Sequence, residues 1–532
     1  MPNKKLSSQK AIFWVSLFLV LFANVSFFSH VMQVYTPTNV GNIIFIASLA
    51  VVLFAVLVII ITLISSRYTL KPVLIGLVLL SSMTNYFMNT YDVILDETMI
   101  QNVMETNVSE SQDLLTLKLV AYLVFLGVLP SVWIYRMNIV YKSVKKEFLM
   151  KLESIGIALV IAAILIVSLS RYYTSFFREH KPLRYYSNPT YCLYSAGKYV
   201  SDIWLKKESV LKPMGLDATQ KKEPVRRLTI MVVGEAARAN RFSLNGYERE
   251  TNPQLKKEAI INFSDMASCG TSTAISVPCM FSYLERQNYS DHEAKSMENV
   301  LDILKRAGVN VLWRDNNSDS KGVALRVAYE DYRTPKTNTI CEGDECRDEG
   351  MLVGLQPYVD AQTSGDIVIV LHQMGNHGPA YYKRYPKAFE KFTPTCQSNQ
   401  VEKCTPEEIG NAYDNAILYT DDFLAKTIAF LKANDTRFQT AMIYMADHGE
   451  SLGEKGLYLH GIPYFMAPKE QTHVGALMWF GEQSKKRIDT QKVAQKATHS
   501  FSHDTLFHTL LGVMGVQTSL YDKSKDLLIY QP

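Results

Sequence analysis

The sequence predicts a transmembrane domain of five helices, followed by an α/β domain with a mostly parallel central sheet flanked by helices. At 532 residues the chain is too long for one hydrophobic core, which stops growing near about 250 to 300 residues. The long apolar runs are concentrated in the first third. From residue 227 onward, short β-rich runs alternate with helical periodicity, which is typical of a parallel sheet covered on both faces.

Five segments are long and apolar enough to cross a bilayer, for which about 20 helical residues are needed. The second contains no charged residue, which disfavours a helix buried in a soluble domain. The third ends in a polar cluster around Ser82 and Asn85, so we expect it to turn a polar face toward a cavity or the other helices. The predicted spans are 11–32, 41–64, 72–88, 117–135 and 155–169.

Basic residues in the short loops predict the orientation in the membrane, because cytoplasmic loops carry an excess of Lys and Arg. The loop 91–113 is acidic and is predicted to lie outside, so an odd number of spans sends everything after about Arg171 into the periplasm. No small-residue cleavage site follows the first span, which disfavours a cleaved signal peptide. The basic loop residues are Lys4, Lys5, Lys10, Arg67, Lys71, Arg136, Lys142, Lys145, Lys146 and Lys151.

The cysteines test this orientation independently, since six of the seven lie in the part predicted to be periplasmic. Their spacing predicts three local disulfides, which fit an oxidising compartment. Buried free thiols or a zinc site are the alternatives. Cys192 is predicted to be a free thiol near the membrane. The predicted pairs are Cys269 with Cys279, Cys341 with Cys346, and Cys396 with Cys404.

Three regions follow from these patterns: a transmembrane domain over 1–171, an amphipathic linker over 172–222 and a periplasmic catalytic domain over 223–532. In the linker, Tyr and Phe alternate with Arg and Lys, which suits the lipid headgroup layer. We expect it to lie along the outer leaflet or to pack on the soluble domain.

The segment 268–283 is predicted to be a nucleophile loop. Gly270 is followed by Thr271, Ser272 and Thr273, and then by a run that can become helical. Such a helix start presents hydroxyl groups and free backbone N–H groups to an anion. A Ser/Thr-rich surface turn is the alternative, which the metal-binding residues found elsewhere in the chain disfavour.

Carboxylate and imidazole groups follow the predicted strands, where a parallel sheet collects its ligands. Glu235 follows the predicted strand 228–234, and Asp447 and His448 follow the predicted strand 440–446; the other two predicted strands are 309–313 and 366–371. With the Thr273 hydroxyl they complete a four-ligand set that suits Zn²⁺. A bound metal would lower the pKa of that hydroxyl, as it does for bound water, and so make Thr273 a nucleophile.

Several motifs resemble the phosphoethanolamine–lipid A transferases of the alkaline phosphatase/sulfatase superfamily, including the mobile colistin-resistance type. The resemblance runs over both halves of the chain. It implies that Thr273 carries a phosphoethanolamine intermediate and that Glu235, Asp447 and His448 hold zinc with it. The motifs are Gly234-Glu-Ala-Ala-Arg238, Asn245-Gly-Tyr247, Cys269-Gly-Thr-Ser-Thr-Ala274, Trp313-Arg-Asp-Asn-Asn317, His377-Gly-Pro379, Asp447-His-Gly-Glu-Ser451 and Leu459-His-Gly461.

The resemblance also implies substrate-binding residues. His377 and His460 match positions that hold the substrate phosphate or a second zinc, Lys321 matches a basic residue beside that phosphate, and Asn317 is expected to bind substrate. One zinc ion is expected to be tightly bound, and a second during turnover is left open. The chain departs from the family at Ala236, where Thr is common, which bears on substrate positioning and leaves the ligands intact.

The predicted function is transfer of phosphoethanolamine from phosphatidylethanolamine to a phosphate of lipid A through phospho-Thr273, giving polymyxin and colistin resistance. The expected partners are these two lipids and the membrane; the protein is expected to be a monomer without a nucleic-acid partner. The alternatives are transfer to a core sugar of lipopolysaccharide, a phosphoglycerol transferase or sulfatase-like hydrolase, and a non-enzymatic transporter or anchor. Scarcity of charge in the spans disfavours the last.

Overall fold

The computed structural model describes residues 5–105, 114–178, 180–204, 211–343 and 345–531, and the chain divides into two compact units. The first unit comprises Met1–Ile100 and Leu115–Ser201, and the second comprises Gln101–Leu114 and Asp202–Pro532. Most of the predicted linker is therefore counted with the first unit. The acidic loop residues Glu110 and Asp113 lie outside the described residues.

Apolar helices dominate the first unit. Four of them are long and apolar enough to cross a membrane, or five spans result if a bent helix pair counts as one. That pair replaces the first predicted span: Ser8–Phe22 and Val25–Val34 meet at an angle of 55°. The helices up to Trp204 are Ser8–Phe22, Val25–Val34, Val40–Ile64, Leu70–Tyr91, Glu97–Glu105, Leu117–Arg136, Val144–Ser168, Ser170–Arg178 and Thr190–Trp204.

Buried asparagines hold the break in the first span. Asn24 Nδ2 donates to Asn188 O at 2.7 Å, and Asn188 Nδ2 donates to Ala23 O at 3.0 Å. Asn85, on the predicted polar face of the third span, donates to Phe22 O at 3.0 Å. Backbone carbonyls freed by a helix break in an apolar surrounding need such donors. The polar residues of the third span therefore cap a bend in the first.

The second unit is built on a seven-stranded sheet in the order β2-β7-β6-β1-β5-β3-β4. The five strands from β6 to β4 run parallel, β7 runs antiparallel to β6, and β2 runs antiparallel to β7. The predicted fold class is confirmed, and the antiparallel edge is an addition to it. The strands are β1 (Arg226–Gly234), β2 (Ile261–Asn262), β3 (Asn310–Asp315), β4 (Ala328–Asp331), β5 (Ile367–His372), β6 (Phe438–Ala446) and β7 (Ala476–Phe480).

The central strands are buried along almost their whole length, which explains their continuous apolar runs. Helices cover the sheet, the longest being Pro406–Asn434, which begins with a capping box formed by Thr405 and Glu408. The other helices are Thr273–Phe281, Asp291–Lys295, Val300–Arg306, Leu355–Ala361, Lys469–Thr472, Glu482–Lys485, Thr490–Lys496 and Leu506–Val513. Short strands outside the main sheet are Leu6–Ser7, Ile139–Val140, Thr219–Gln220, Asp265–Ala267, Cys341–Glu342, Glu345–Cys346, Ser451–Leu452, Tyr458–Leu459, His473–Val474, Ser500–Ser502 and Val516–Gln517.

Candidate active site

The register of the sheet brings the predicted metal ligands together. Ala446, the last residue of β6, pairs with Gly234, the last residue of β1, in neighbouring parallel strands. Glu235 and Asp447 therefore leave the sheet side by side at its carboxyl edge. Both carboxylates are completely buried, as is the imidazole of His448.

The predicted nucleophile lies at the start of a helix that is tied to this edge. Helix Thr273–Phe281 has Ser272 as its N-cap residue, and the Ser272 carbonyl accepts from the Ser276 N–H at 2.8 Å. Ser276 Oγ in turn donates to Asp447 O at 2.6 Å. The first N–H groups of a helix have no partner within it, so the helix start favours a negative charge. Thr273 is thus held with a donor-rich backbone beside two carboxylates.

The Thr273 hydroxyl lies in one cluster of contacts with the side chains of Glu235, His448 and Asp447. Thr273 Oγ1 donates to Glu235 Oε2 at 2.9 Å and lies 3.3 Å from His448 Nε2. His448 Nε2 lies 3.2 Å from Glu235 Oε1 and 3.6 Å from Asp447 Oδ2. The structure therefore brings together the four residues that the sequence predicted as one set.

These residues fit a divalent cation. Glu235 Oε1 and Asp447 Oδ2 are buried, and neither has a hydrogen-bond partner among the described residues. His448 Nδ1 donates to Gly449 O at 2.7 Å, which directs Nε2 toward the carboxylates. A backbone acceptor on the outer nitrogen is the usual arrangement for a metal-binding histidine. One ligand atom each from Glu235, Asp447 and His448 lie within 4.8 Å of one another, so the site can hold a metal ion.

The electrostatics of the cluster also call for a positive charge. Burial and the neighbouring Glu235 carboxylate raise the pKa of Asp447 to about 6. Burial lowers the pKa of His448, but the Asp447 and Glu235 charges outweigh it and raise that pKa to about 10. Two buried carboxylates need a cation between them, and a metal ion would supply it.

A further cluster lies beside the first. His460 Nδ1 donates to Glu450 Oε2 at 2.9 Å, and the Tyr381 hydroxyl donates to Glu450 Oε1 at 2.7 Å. The His460 ring centroid lies 4.2 Å from that of His448 and 5.9 Å from that of His377. His448, Glu450 and His460 also form a group that could hold a metal ion. The sequence analysis named both outer histidines but assigned no role to Glu450 or Tyr381.

Asn317 lies against the metal-binding carboxylate. Its Nδ2 donates to Glu235 Oε2 and to Gln373 O, both at 2.7 Å. The backbone N–H of Asn317 donates to Asp315 Oδ1 at 3.0 Å. Asp315 Oδ2 accepts from His372 Nδ1 at 2.9 Å. A series of hydrogen bonds therefore runs from His372 through Asp315 and Asn317 to the Glu235 carboxylate and fixes it in place. The position of Glu235 at the end of a strand did not predict these hydrogen bonds.

Known protein families match both the membrane helices and the α/β unit of this chain. A family model described as "Sulfatase" matches residues 227–516, and one described as "Phosphoethanolamine transferase EptA/EptB" matches residues 53–203. The phosphatidylethanolamine transferase Mcr-2 of Escherichia coli is 46% identical over 94% of this chain and 94% of its own length. The chain belongs to the phosphoethanolamine transferase family. The phosphoethanolamine transferase EptA of Escherichia coli strain K12 is 39% identical over 97% of this chain and 95% of its own length.

The same family supplies a solved structure that matches this transferase throughout. The integral membrane lipooligosaccharide phosphoethanolamine transferase A of Neisseria meningitidis has a TM-score of 0.96 and 35% identity, covering 99% of this chain and 100% of its own. The soluble domain of that protein matches with a TM-score of 0.59 and 41% identity, covering 61% of this chain and 99% of its own. The membrane helices and the α/β unit of this transferase therefore both follow the family.

Two backbone features shape the site of this transferase. Ala236, the residue that departs from the family motif, has a φ of 51°, and its N–H donates to Asp447 Oδ1 at 3.2 Å. Gly375 has a φ of 48°, and a Cβ there would lie 2.9 Å from Glu235 O. Gly375 is needed because only glycine combines this backbone conformation with so close an approach. At Ala236 a β-branched side chain would add strain in the left-handed region.

Lys321 and the cysteines complete the predicted residues. Lys321 is buried at a φ of 51°, in the turn that follows Asn317. Cys192 lies in helix Thr190–Trp204 of the first unit and is a buried free thiol. The second unit contains disulfides between Cys269 and Cys279, between Cys341 and Cys346, and between Cys396 and Cys404.

Proposed function

We propose that this transferase moves phosphoethanolamine from phosphatidylethanolamine to a phosphate of lipid A through a covalent intermediate on Thr273. The observation that carries the proposal is the Thr273 hydroxyl at a helix start, 2.9 Å from Glu235 Oε2 and 3.3 Å from His448 Nε2. One relative is named a phosphatidylethanolamine transferase, which supports this donor. Another is named a lipooligosaccharide phosphoethanolamine transferase, which supports this class of acceptor. The enzyme spans the inner membrane, and its catalytic unit lies in the periplasm, where both lipids are reached.

In the first half-reaction, Thr273 Oγ1 attacks the phosphorus of phosphatidylethanolamine. The new bond joins Oγ1 to phosphorus, the bond from phosphorus to the diacylglycerol oxygen breaks, and that oxygen takes up the proton that Thr273 released, so that diacylglycerol leaves. Glu235 Oε2 already accepts the hydrogen bond from Thr273 Oγ1, so it is placed to receive the hydroxyl proton. The N–H groups at the helix start stabilise the charge that develops on the phosphoryl oxygens.

In the second half-reaction, an oxygen of a lipid A phosphate attacks the same phosphorus. The bond from phosphorus to Thr273 Oγ1 breaks, the threonine takes up the proton of the attacking phosphate, and lipid A carries the phosphoethanolamine group. The added amine lowers the net negative charge of lipid A. Cationic peptides such as polymyxin and colistin are attracted by that charge, so the modification gives resistance to them.

The metal-binding residues suit zinc, as a set of two carboxylates, one imidazole and one hydroxyl oxygen. A zinc ion held by Glu235, Asp447, His448 and Thr273 would supply Lewis-acid stabilisation and favour the deprotonated hydroxyl. We propose that one zinc ion is tightly bound. Binding of a second ion during turnover is the alternative. Asn317 fixes the Glu235 carboxylate through its 2.7 Å hydrogen bond, whether or not it also contacts substrate.

The second histidine cluster and Lys321 form the phosphate-binding side of the site in this proposal. Glu450 accepts from His460 Nδ1, which leaves His460 Nε2 to face a ligand. His377 Nδ1 is buried without a hydrogen-bond partner among the described residues, as expected of a group whose partner is a bound ligand. Lys321 supplies a fixed positive charge. One chain supplies every residue of this proposed site, so a monomer is sufficient for the reaction.

A sulfatase-like hydrolase is the main rival, because the same superfamily contains sulfatases. It would require a modified Cys or Ser at the position of Thr273, and a threonine stands there. Transfer to a core sugar is separated from transfer to lipid A by the mass of the lipid fraction. The test is therefore mass spectrometry of lipid A from bacteria that express the wild type, Thr273→Ala or Thr498→Ala.

The wild type and Thr498→Ala are expected to add phosphoethanolamine to lipid A, and Thr273→Ala to add none. Thr498 is an exposed threonine and serves as a matched control. Unmodified lipid A in wild-type cells, with phosphoethanolamine on the core sugars, would show that the acceptor is a core sugar and not a phosphate of lipid A. Modified lipid A in cells with Thr273→Ala would refute the nucleophile.

A further inference from the structure

The first unit contains a cavity of about 260 Å³ that has no part in the site described above. Its walls come from the start of helix Ser8–Phe22, from the turn 65–70 and from the segment 141–151. These segments include two of the loops predicted to be cytoplasmic. The cavity therefore lies on the predicted cytoplasmic side of the membrane.

Hydrogen bonds build the walls of this cavity. The strand Leu6–Ser7 pairs in parallel with Ile139–Val140 and fixes the N-terminal segment against the loop before helix Val144–Ser168. Ser8 Oγ donates to Glu147 Oε2 at 2.7 Å, and Lys151 Nζ donates to Ser65 O. The cavity is thus bounded by segments that are bonded to one another.

The lining combines apolar side chains with a positive rim. Ile12, Leu70 and Phe148 supply apolar surface, and Arg67 and Lys142 are exposed at the rim. The single carboxylate of the lining, on Glu147, is engaged within the wall, since its two oxygens accept from Ser8 Oγ and from the Lys142 N–H at 2.8 Å. Three basic residues line the cavity, so it presents a net positive charge over an apolar floor.

We propose that this cavity binds an anionic glycerophospholipid of the cytoplasmic leaflet, with its phosphate against Arg67 and Lys142 and its glycerol against Ile12, Leu70 and Phe148. Basic pockets between membrane helices on the cytoplasmic side are suited to such headgroups. The volume lies just below the about 300 Å³ of the smallest common ligand sites, so it suits a headgroup and its glycerol while the acyl chains stay in the bilayer. The bound lipid would be neither the donor nor the acceptor, which are used on the other side.

Basic residues on the cytoplasmic side also set the orientation of the protein in the membrane, and that role does not require them to line the cavity. Lys145 and Lys146 lie in the first turn of helix Val144–Ser168, close to Lys142 in the sequence, yet they do not line the cavity. The double variants Arg67→Gln/Lys142→Gln and Lys145→Gln/Lys146→Gln remove the same charge from the same side. Only the first removes it from the proposed site.

The test is native mass spectrometry of the full-length enzyme in detergent with dioleoylphosphatidylglycerol or dioleoylphosphatidylcholine, which share their acyl chains. The wild type and Lys145→Gln/Lys146→Gln are expected to retain phosphatidylglycerol in preference to phosphatidylcholine. Arg67→Gln/Lys142→Gln is expected to retain roughly 25-fold less phosphatidylglycerol, since each basic side chain near an anionic headgroup contributes roughly fivefold.

Equal retention of the two lipids by the wild type would overturn the proposal, and that comparison requires no variant to fold. Equal loss of phosphatidylglycerol in both double variants would also overturn it, because the effect would then follow net charge and not the cavity. Preferential loss in Arg67→Gln/Lys142→Gln supports it.

Discussion

Asn317 Nδ2 lies 2.7 Å from Glu235 Oε2, the same oxygen that accepts from the Thr273 hydroxyl. One carboxylate oxygen thus receives two donors, and the amide fixes its direction. Asn317→Ala is expected to lower metal affinity or turnover by about 10- to 100-fold, which is typical when a partner of a metal ligand is lost. Titration with zinc and assay of phosphoethanolamine transfer measure the two effects.

Asn310 offers a matched control for that substitution. It begins the strand β3 that ends at Asp315, and its Nδ2 donates to Ser364 O at 2.8 Å, at the opposite end of the strand. Asn310→Ala should leave metal affinity and transfer unchanged. An equal loss in both variants would mean that Asn317 acts through the stability of the fold and not through Glu235.

Removal of the metal is expected to abolish transfer and to leave the fold largely intact. Glu235 and Asp447 sit together in the interior, so their mutual repulsion is relieved by a bound cation. Dialysis against a chelator should stop transfer, zinc should restore it, and magnesium should not, because a site with imidazole suits zinc better. Full activity in a preparation shown by elemental analysis to be metal-free would contradict the assignment.

The buried carboxyl of Asp421 should make the stability of the fold depend on pH, independently of the candidate active site. Burial raises its pKa to about 7, although its carboxylate accepts from the Gln254 and Leu255 N–H groups at 2.8 and 3.0 Å. The folded chain therefore holds a proton that the unfolded chain releases above about pH 4, so the free energy of unfolding falls as pH rises from about 4 to 7, by up to about 1.4 kcal/mol per pH unit.

Asp421→Asn should flatten that slope in the thermal unfolding of the full-length enzyme, measured across this pH range. Glu407→Gln, which removes an exposed carboxylate from the same helix Pro406–Asn434, should leave the slope unchanged. A wild-type slope that persists in Asp421→Asn would show that another group is responsible.

The sequence predicted the core of the site because two simple rules were sufficient. Continuous apolar runs identified β1 and β6 as buried strands, and parallel neighbours end at one edge. Glu235 and Asp447 therefore had to meet, and the structure pairs the strand ends Gly234 and Ala446. The length of the apolar segments likewise predicted the membrane helices.

The remaining features depend on three-dimensional detail that residue patterns do not encode. The run 476–480 was not among the predicted strands, and an apolar run does not show in which direction a strand pairs, so the antiparallel β7 was not predicted. Hydropathy predicted one straight span over 11–32, but the bend depends on Asn188, which is 164 residues from Asn24. The contact of Asn317 with Glu235 joins residues 82 positions apart in the chain, and nothing in the residue types required it.

Formation of the covalent intermediate on Thr273 Oγ1 is tested most directly by peptide mass spectrometry of enzyme quenched during turnover with phosphatidylethanolamine and no acceptor. We expect a phosphoethanolamine group on the peptide that contains Thr273, formed as diacylglycerol is released and lost when lipid A is added. Release of diacylglycerol with no adduct on Thr273, or with the adduct on another residue, would contradict it.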